Sequence, residues 1–432
     1  MNKARQAGER IAVIGGGISG LAAAWLLARR YDVTLYEAGD YVGGHSNTID
    51  VTLGGTTHPV DTGFLVHNER TYPNLIALFA ELGVQTVASD MSFAVALPHL
   101  NLEWAGSNLN TVFGQRRNLL RPAFWRMLSD ILRFNRNAAA LLAESRDNGQ
   151  TLLRLLDRGG YGQEMREWYL LPMAAAIWSS PSAEILRFPA ATFLQFCLNH
   201  GLLQVNDRPQ WKTVAGGSRE YVARMLPAIQ QVRVASPVSA VRRFEDHVEI
   251  DSLGQTAHFD QVVFATHAPD TLALLSDASA AEAELLSAIR YQPNRAVVHT
   301  DASFLPSRRG LWSAWNYQGG PAGEDLQRPV CVSYLINALQ PLPFAEPVIV
   351  TLNPWREPDP ATVIRDLDYD HPLFDELAIR AQEGLWRIQG NRRSWFCGAW
   401  CGYGFHEDGL KAGMRVANAL GVRAAWQGDG DV

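Results

Sequence analysis

The chain has 432 residues, of which 47% are hydrophobic and 19% are charged, with a formal net charge of −6. This length is enough for two or three domains of roughly 100–200 residues, and the composition excludes a disordered or fibrous chain. A mildly acidic protein does not have the strongly basic surface that nucleic-acid binding needs, so we expect no nucleic-acid partner.

The cysteine content indicates a reducing compartment. The four cysteines are Cys197, Cys331, Cys397 and Cys401, and their spacing matches neither a disulfide framework nor a zinc ribbon. We therefore predict no metal site. The first ten residues, MNKARQAGER, have no apolar segment of the signal-peptide type, and we expect a cytoplasmic protein without a membrane-spanning helix.

The first motif lies near the N-terminus. An apolar run at 11–14 predicts a buried parallel strand, and Gly15-x-Gly17-x-x-Gly20 follows at the start of a helical pattern. A second apolar run ends in Glu37, whose carboxylate would accept hydrogen bonds from a ribose diol and would repel a 2′-phosphate. The order of strand, glycine turn, helix, strand and acid predicts a dinucleotide site and disfavours NADP.

Each glycine of this motif has its own physical role. Gly15 permits a tight turn, Gly17 lets the backbone approach a diphosphate, and Gly20 lets the helix pack closely on the strand. The helix begins at Ile18 and Ser19, where free N–H groups and the positive end of the helix dipole favour phosphate.

Several further segments resemble the fingerprints of the flavin-containing amine oxidase and phytoene desaturase superfamily. They are Gly43-Gly44-His45, Val60-Asp-Thr-Gly63-Phe64, the region of Val238, the strand ending at Thr266, and the C-terminal pair Phe396-Cys-Gly398-Ala and Gly404-Phe405-His406-Glu407. In that superfamily such segments wrap the diphosphate, lie beneath the flavin ring, contact adenine and meet the ribityl chain. The resemblance implies non-covalent FAD bound by Gly15, Gly17, Ile18, Ser19, Gly20, Glu37, Ala38, Gly43, Gly44, His45, Gly63, Phe64, Val238, Thr266, Gly398, Phe405 and His406.

The resemblance also implies an α/β fold of the amine oxidase type. A Rossmann-like (GR2-type) FAD-binding domain is expected to interleave with an α+β substrate-binding domain. The FAD domain would take 8–75, 206–285 and 385–425, and the substrate domain would take 76–205 and 286–384. The sequence agrees with this division, because 71–200 is helical in character and 297–352 contains runs typical of strands.

The chemistry expected of the site is hydride transfer to flavin, with the protein positioning the substrate. In the amine oxidases a lysine usually holds a water near the flavin N5. The corresponding strand here, 294–299, has Arg295 in that place, and arginine does not lose its proton in proteins. This weakens an amine oxidase assignment, although Phe405 matches one member of the aromatic pair that those enzymes place before the flavin.

Histidines are the main candidates for a catalytic base, because a neutral imidazole suits proton transfer near neutral pH. The candidates are His45, His67, His267, His299 and His406, together with Glu407. His67 lies on the loop predicted beneath the ring and His406 lies in the C-terminal motif, so these two are the first choices. Glu407 is expected to order its motif around FAD.

A nonpolar carbon chain is the other substrate class. Trp178, Phe188, Phe193 and Phe196 would suit a lipid tunnel or the plain core of a helical domain. Segments such as 213–219 and 312–317 resemble bacterial oxidoreductases associated with cyclopropane fatty acid synthases. That resemblance implies desaturation of a fatty-acyl chain, for instance a methyl-branched unsaturated chain of a phospholipid. The alternatives are a flavin amine or amino-acid oxidase and a non-catalytic FAD-bound partner of a neighbouring lipid-modifying enzyme.

The stretch from Gln115 to Asn137 contains six arginines and one acid, Asp130, among apolar side chains. A basic amphipathic segment of this kind is typical of a helix that lies on an anionic membrane surface. A solvated face over a buried one is the alternative. The first interpretation predicts a peripheral protein at the inner face of the cytoplasmic membrane.

Overall fold

The computed structural model describes residues 8–204, 209–320 and 328–428. The strands of this part of the chain are β1 (Arg10–Ile14), β2 (Asp32–Tyr36), β3 (Thr48–Leu53), β4 (Thr56–Asp61), β5 (His67–Asn68), β6 (Thr86–Ser89), β7 (Phe93–Leu97), β8 (Leu102–Ala105), β9 (Trp211–Val214), β10 (Gln231–Arg233), β11 (Val238–Arg243), β12 (Val248–Ser252), β13 (Gln255–Phe259), β14 (Gln261–Phe264), β15 (Tyr291–His299), β16 (Trp315–Gln318), β17 (Val332–Leu335), β18 (Ile349–Leu352), β19 (Val363–Pro372) and β20 (Ser394–Phe396).

The α-helices lie between and around these strands. They are α1 (Ile18–Leu27), α2 (Pro73–Leu82), α3 (Leu109–Val112), α4 (Pro122–Asn148), α5 (Leu152–Arg158), α6 (Gln163–Met165), α7 (Leu171–Trp178), α8 (Ser182–Arg187), α9 (Ala190–Asn199), α10 (Arg219–Met225), α11 (Ala268–Leu274), α12 (Ala280–Ser287), α13 (Ile336–Leu339), α14 (Glu376–Gly384) and α15 (His406–Ala419). Among the described residues, no helix is both long and apolar enough to cross a bilayer.

A five-stranded parallel sheet, in the order β10-β2-β1-β14-β20, forms the nucleotide-binding half. Its central strand β1 buries Ile11, Ala12 and Val13 completely, as expected for a parallel strand covered on both faces. Its five strands come from the three separate segments predicted for the FAD domain. The exact domain boundaries stay a prediction, and the one at 205–206 lies outside the described residues.

Helices α1 and α15 pack against each other beside this sheet at close range. A Cβ placed on Gly413 would come within 2.3 Å of the Ser19 carbonyl oxygen, and one on Gly409 within 2.8 Å of Ile18. Because these two glycines have no side chains, α15 can approach the first turn of α1. This contact brings the N-terminus of α15 to the glycine motif.

A seven-stranded mixed sheet, in the order β19-β15-β18-β17-β16-β7-β8, forms the other half. Strands β7 and β8 of this sheet, together with β6, lie in a segment that the sequence predicts as helical. The difference arises because β7 has the sequence FAVAL, which contains no alternation, and its parallel partner β16 is more than 200 residues distant in sequence. Helices α5 to α9 pack in a separate hydrophobic core that includes Phe188 and Phe193.

Candidate functional site

A cavity of about 720 Å³ runs between the two halves of the molecule. Its walls include the carboxyl ends of β1, β2 and β14, which is where ligands bind in open parallel sheets. The opposite wall comes from the seven-stranded sheet and from α7 and α9. We call the part built on the first glycine motif the glycine section, and the part between α7, α9 and the mixed sheet the aromatic section.

The glycine section begins with a tight turn after β1. Gly15 has a φ of +105°, and its N–H donates to the carbonyl of Tyr36 at 2.8 Å. A Cβ on Gly20 would lie 1.8 Å from the Gly15 oxygen, so helix and turn touch backbone to backbone. Gly20 accordingly packs behind the turn and does not line the cavity.

Gly17 has the opposite surroundings. No described atom lies within 4 Å of a Cβ built on it. It is the N-cap of α1 and has no side chain to bond the first-turn N–H groups of Ile18 and Ser19, which line the cavity. Free N–H groups at a helix N-terminus beside open space fit a diphosphate.

Two further loops close around this turn. The Gly43 N–H donates to the Gly16 carbonyl at 2.9 Å, and a Cβ on Gly44 would lie 3.2 Å from the Gly17 Cα. A Cβ on Gly63 would lie 2.4 Å from the His45 carbonyl oxygen. Three backbone segments therefore pack here without room for side chains. This explains why glycines occur at 43, 44 and 63.

Glu37 directly follows β2 and lies at the far end of the glycine section. One carboxylate oxygen accepts from the Gly16 N–H at 2.8 Å and the other from the Gly39 N–H at 2.7 Å. Ala38, Val238 and Thr266 line the same cavity. The backbone amides fix the Glu37 carboxylate at the edge of the cavity, in a position that fits a ribose.

His406 also lines the cavity, but its ring is bonded within the protein. It stacks on Phe64 with ring centroids 3.9 Å apart, and its Nε2 lies 2.8 Å from the Tyr221 hydroxyl and 3.1 Å from Ser46 Oγ. Burial lowers the pKa of His406 to about 3, so the imidazole is neutral at pH 7. These contacts fix the start of α15, with Phe405 and Gly398 beside it in the cavity wall.

His67 does not reach the cavity. It is fully buried against Phe79, with ring centroids 5.3 Å apart, and neither of its ring nitrogens has a hydrogen-bond partner among the described residues. Burial lowers its pKa to about 4. The structure therefore places this first-choice base in the packing behind the site.

Arg295 lies outside the cavity as well, which corrects its expected place at the flavin. Its guanidinium pairs with Glu357 at 2.8 Å and Asp366 at 2.6 Å, and its side chain is 40% exposed. On β15 the neighbouring Asn294 and Ala296 are buried, so the alternation of the strand turns Arg295 to the outer face.

The remaining candidate bases divide between the cavity and the core. His45 and His267 line the cavity, whereas His299 is buried against Thr351, with Nε2 2.8 Å from the hydroxyl. Glu407 accepts hydrogen bonds from the N–H groups of Asn74 and Leu75, at 3.1 and 3.0 Å. Glu407 thus ties the C-terminal motif to the start of α2, as its expected ordering role requires.

A polar pocket beside His45 contains residues that the sequence did not reveal. Tyr369 and His371 of β19 approach the His45 ring, with centroids 4.8 and 5.1 Å away. His45 Nε2 is buried without a hydrogen-bond partner in the described part of the chain, and burial holds the pKa of His45 well below its ordinary value. His45 lines the cavity, but this nitrogen is turned into the protein and not toward the open space. No local motif marks β19, which reaches the site only through sheet pairing with β15.

The aromatic section is built from packed rings. Phe196 lies 4.6 Å from Trp178 and 4.8 Å from Phe405, measured between ring centroids. Other lining residues of this section include Met91, Ile177, Ser179, His200, Leu202, Trp315, Tyr334, Leu352, Phe374 and Tyr403. Of the four aromatic residues predicted for a tunnel, Trp178 and Phe196 line the cavity. Phe188 and Phe193 are instead buried behind Trp178 as core.

The charges along the cavity lie away from this section. The carboxylates that line the whole cavity are Glu37, Asp270 and Asp370. No lysine or arginine is among the described lining residues. His200 is a neutral imidazole, because burial lowers its pKa to about 4. The aromatic section therefore presents uncharged rings and aliphatic side chains to whatever enters it.

Cys397 and Cys401 are free thiols. Burial raises the pKa of Cys401 to about 12, and neither thiol lines the cavity. Both are unreactive as thiolates at pH 7.

Comparisons with known proteins agree with this site. The family model for flavin containing amine oxidoreductase matches residues 18–421. Carotenoid phi-ring synthase of Streptomyces griseus is 36% identical over 148 residues, which are 32% of this chain and 27% of that protein. Amine oxidase A of Canis lupus familiaris is 23% identical over 339 residues, 75% of this chain and 61% of the oxidase. This chain thus spans less than two thirds of either relative.

Among solved structures, a fatty acid isomerase of P. acnes that produces CLA superimposes with a TM-score of 0.66 at 16% identity, covering 96% of this chain and 99% of that one. At this identity the likeness concerns the fold. It confirms the predicted α/β architecture, and the family match confirms the expected FAD cofactor, whose diphosphate and ribose the residues above fit. The chain belongs to the flavin-containing amine oxidoreductase family.

Proposed function

We propose that this protein is an FAD-dependent oxidoreductase that desaturates the acyl chain of a membrane lipid. The observation that carries the proposal is the uncharged aromatic section, which adjoins the residues that fit FAD. Apolar walls stabilise a hydrocarbon chain by removing its surface from water, at about 25 cal/mol for each Å².

An amine substrate fits this wall less well. No lysine lines the described part of the cavity, so its wall lacks the residue that amine oxidases usually place near the flavin N5. The three carboxylates that line the cavity are Glu37, in the glycine section, and Asp270 and Asp370. Helices α7 and α9 contribute no carboxylate that could pair with an ammonium group. Two similar proteins also have names that concern apolar molecules, a carotenoid phi-ring synthase and a fatty acid isomerase.

Desaturation removes two hydrogens from adjacent carbons and leaves a double bond. Bound FAD supplies the acceptor for the hydride, and an external electron acceptor restores the cofactor. The other hydrogen leaves as a proton, which needs a neutral acceptor in the wall. We assign this role to His200, a cavity-lining imidazole whose ring lies 4.1 Å from Phe196 and 5.9 Å from Phe405.

Anaerobic reduction of the bound flavin tests the reaction. We expect bleaching of the absorbance near about 450 nm when phospholipid with unsaturated or methyl-branched chains is added, and none with primary amines. His200→Gln should slow the lipid reaction at least tenfold and leave FAD binding unchanged, whereas the exposed His99→Gln should match the parent. Bleaching by amines alone would establish an oxidase. Reduction by neither class would support a non-catalytic FAD-bound partner of a lipid-modifying enzyme.

We propose that the protein reaches its lipid substrate at the bilayer surface through an exposed apolar patch. A surface patch joins the 3-10 turn at Arg116–Leu120 to α4. There, Leu120 is 86% exposed and Trp125 49%, which is a high exposure for large apolar side chains. Other apolar residues of the predicted segment, such as Phe124 and Phe134, are core.

Charge favours an anionic surface as the partner of this patch. Arg126 and Arg133 pair with Glu164 and Asp130, but Arg116 and Arg136 have no carboxylate partner in the described residues. Arginines that flank exposed leucine and tryptophan suit anionic headgroups above acyl chains.

Vesicle binding tests the patch. We expect the protein to sediment with vesicles that contain phosphatidylglycerol and to bind phosphatidylcholine vesicles more weakly. Leu120→Gln with Arg116→Gln should reduce binding to the anionic vesicles at least fivefold. Leu377→Gln is the matched control, because Leu377 is 63% exposed elsewhere. Equal binding by both variants would refute a role for the patch.

A further inference from the structure

A group of metal-ligating side chains lies on the small antiparallel sheet β11-β12-β13, outside the cavity. Glu249 of β12 and His258 of β13 are directly opposite each other in the strand register. His247 precedes Glu249 by two residues, and alternate residues of a strand share a face. The hairpin therefore brings two imidazoles and one carboxylate to the same side of the sheet.

The ligand atoms already converge. Glu249 Oε1 lies 3.8 Å from His247 Nε2 and 3.8 Å from His258 Nε2. The three atoms all lie within 4.8 Å of one another. Neighbouring ligands of a tetrahedral Zn²⁺ with bonds of 2.0–2.1 Å are about 3.3 Å apart, so Glu249 must close on each histidine by about 0.5 Å and the two imidazole nitrogens on each other by up to about 1.5 Å.

The groups behind these ligands orient them. The Asp246 carboxylate lies 2.7 Å from His247 Nδ1, which leaves Nε2 as the nitrogen that faces Glu249. Arg242 Nε donates to the second oxygen of Glu249 at 3.0 Å and leaves Oε1 toward the histidines. A carboxylate on the outer nitrogen of a ligating histidine is a recurrent feature of metal sites.

Ring stacking holds the two imidazoles in place. Phe244, His247 and His258 form a continuous stack, with successive centroids 4.6 and 5.0 Å apart and interplanar angles of 9° and 8°. His258 is 60% exposed, so solvent and metal ions reach the group. Because the lone pair of an imidazole nitrogen lies in the plane of its ring, a metal ion shared by His247 and His258 requires the exposed His258 to turn out of this stack.

We propose that His247, Glu249 and His258 form a binding site for a divalent transition-metal ion of the Zn²⁺ class. Imidazole nitrogen and carboxylate oxygen are ligands that Zn²⁺ accepts, and three protein ligands leave a coordination position for water. The site joins both strands of the β12-β13 hairpin. It is independent of the proposed desaturase activity, because none of its residues lines the cavity.

Calorimetric titration of the FAD-loaded protein with ZnCl₂ tests this proposal. We expect one Zn²⁺ per chain with a dissociation constant in the micromolar range. His258→Ala should abolish this binding, and Asp246→Asn, which keeps all three ligands, should weaken it by about 10–100-fold. His99→Ala removes another exposed histidine and should leave the affinity unchanged.

A second readout distinguishes a site from loose surface binding. Co²⁺ at the same position should give visible absorption bands that disappear in His258→Ala and His247→Ala, while the flavin spectrum stays constant. The proposal is overturned if the parent protein takes up no Zn²⁺ at 100 µM, if His258→Ala binds as the parent does, or if Asp246→Asn and His99→Ala have equal affinity.

Discussion

The two sections of the cavity are built on different physical requirements. In the glycine section the important groups are backbone atoms, and glycines occur where a side chain would collide with another backbone segment or occupy the space in front of Gly17. In the aromatic section the important groups are side chains, and a lining ring such as Phe196 has nearly the same burial as the core ring Phe193. The first requirement is visible in sequence spacing and the second is not.

The largest effect should come from the glycine motif, where two variants separate packing from cofactor binding. We expect Gly20→Ala to prevent assembly of α1 on the turn, since the new Cβ would lie 1.8 Å from the Gly15 oxygen. Gly17→Ala should instead give a folded protein that loses FAD affinity at least tenfold, because its φ of −70° suits alanine. Circular dichroism and the ratio of flavin to protein absorbance measure both. Similar behaviour of the two variants would refute the distinction.

The next largest effect is acid lability, because several histidines in the cavity wall and in the core behind it are buried. Burial lowers the pKa values of His67, His200, His299 and His371 to about 4, against about 6.5 in the unfolded chain. The unfolded state then binds more protons, so stability is complete above about pH 6.5 and falls as the pH approaches 4. Each group contributes on the order of 3 kcal/mol to this loss.

Two carboxyl groups oppose that trend. Burial raises the pKa values of Asp61 and Asp408 to about 6, so these groups favour folding as the pH falls from 6 to 4. Because the histidines outnumber them, we expect a net loss of unfolding free energy, measured by urea denaturation between pH 7.5 and 4.5. His67→Phe should reduce the slope of unfolding free energy against pH by the equivalent of about one proton. An unchanged slope in that variant would contradict the assignment of His67 as a buried neutral group.

A pair of substitutions on α9 tests the boundary between wall and core. Phe196→Leu should raise the KM for lipid several-fold, because Phe196 lines the cavity and contacts Trp178 and Phe405. Phe193→Leu, one turn earlier on the helix and also packed on Trp178, should lower the melting temperature and leave KM unchanged. Steady-state kinetics and thermal unfolding of both variants provide the measurement. Equal KM values would show that substrate does not occupy the aromatic section.

The smallest effect concerns Arg295. Its partners Glu357 and Asp366 are exposed, and surface ion pairs contribute about 0.2–1 kcal/mol each. We expect Arg295→Gln to lower the unfolding free energy by about 1 kcal/mol or less and to leave the rate of flavin reduction unchanged. Urea denaturation and single-turnover reduction measure these two quantities. A tenfold slower reduction would restore Arg295 to the active site.

These comparisons show how much of the molecule was predictable. The β1-α1-β2 unit and the position of Glu37 follow from runs and spacings within about 30 residues, because a strand, a turn and a helix form locally around a phosphate site. The strand β7 was missed, because its pairing with β16 joins segments far apart in the chain. His67 was assigned to the site because it lies close to Phe64 in the sequence. That spacing does not reveal which side of the loop the His67 side chain occupies.

The sequence by itself predicted a dinucleotide site and the backbone positions that form it, since glycine and a terminal acid are required there by contact distances and charge, and the family resemblance then implied FAD. The tertiary structure decided which side chains face the cavity. It placed Arg295 outside, brought His371 beside His45, and divided Trp178 and Phe196 from the core rings behind them. Apolar side chains serve a core and a binding wall equally well, and only the packing of distant segments distinguishes the two uses.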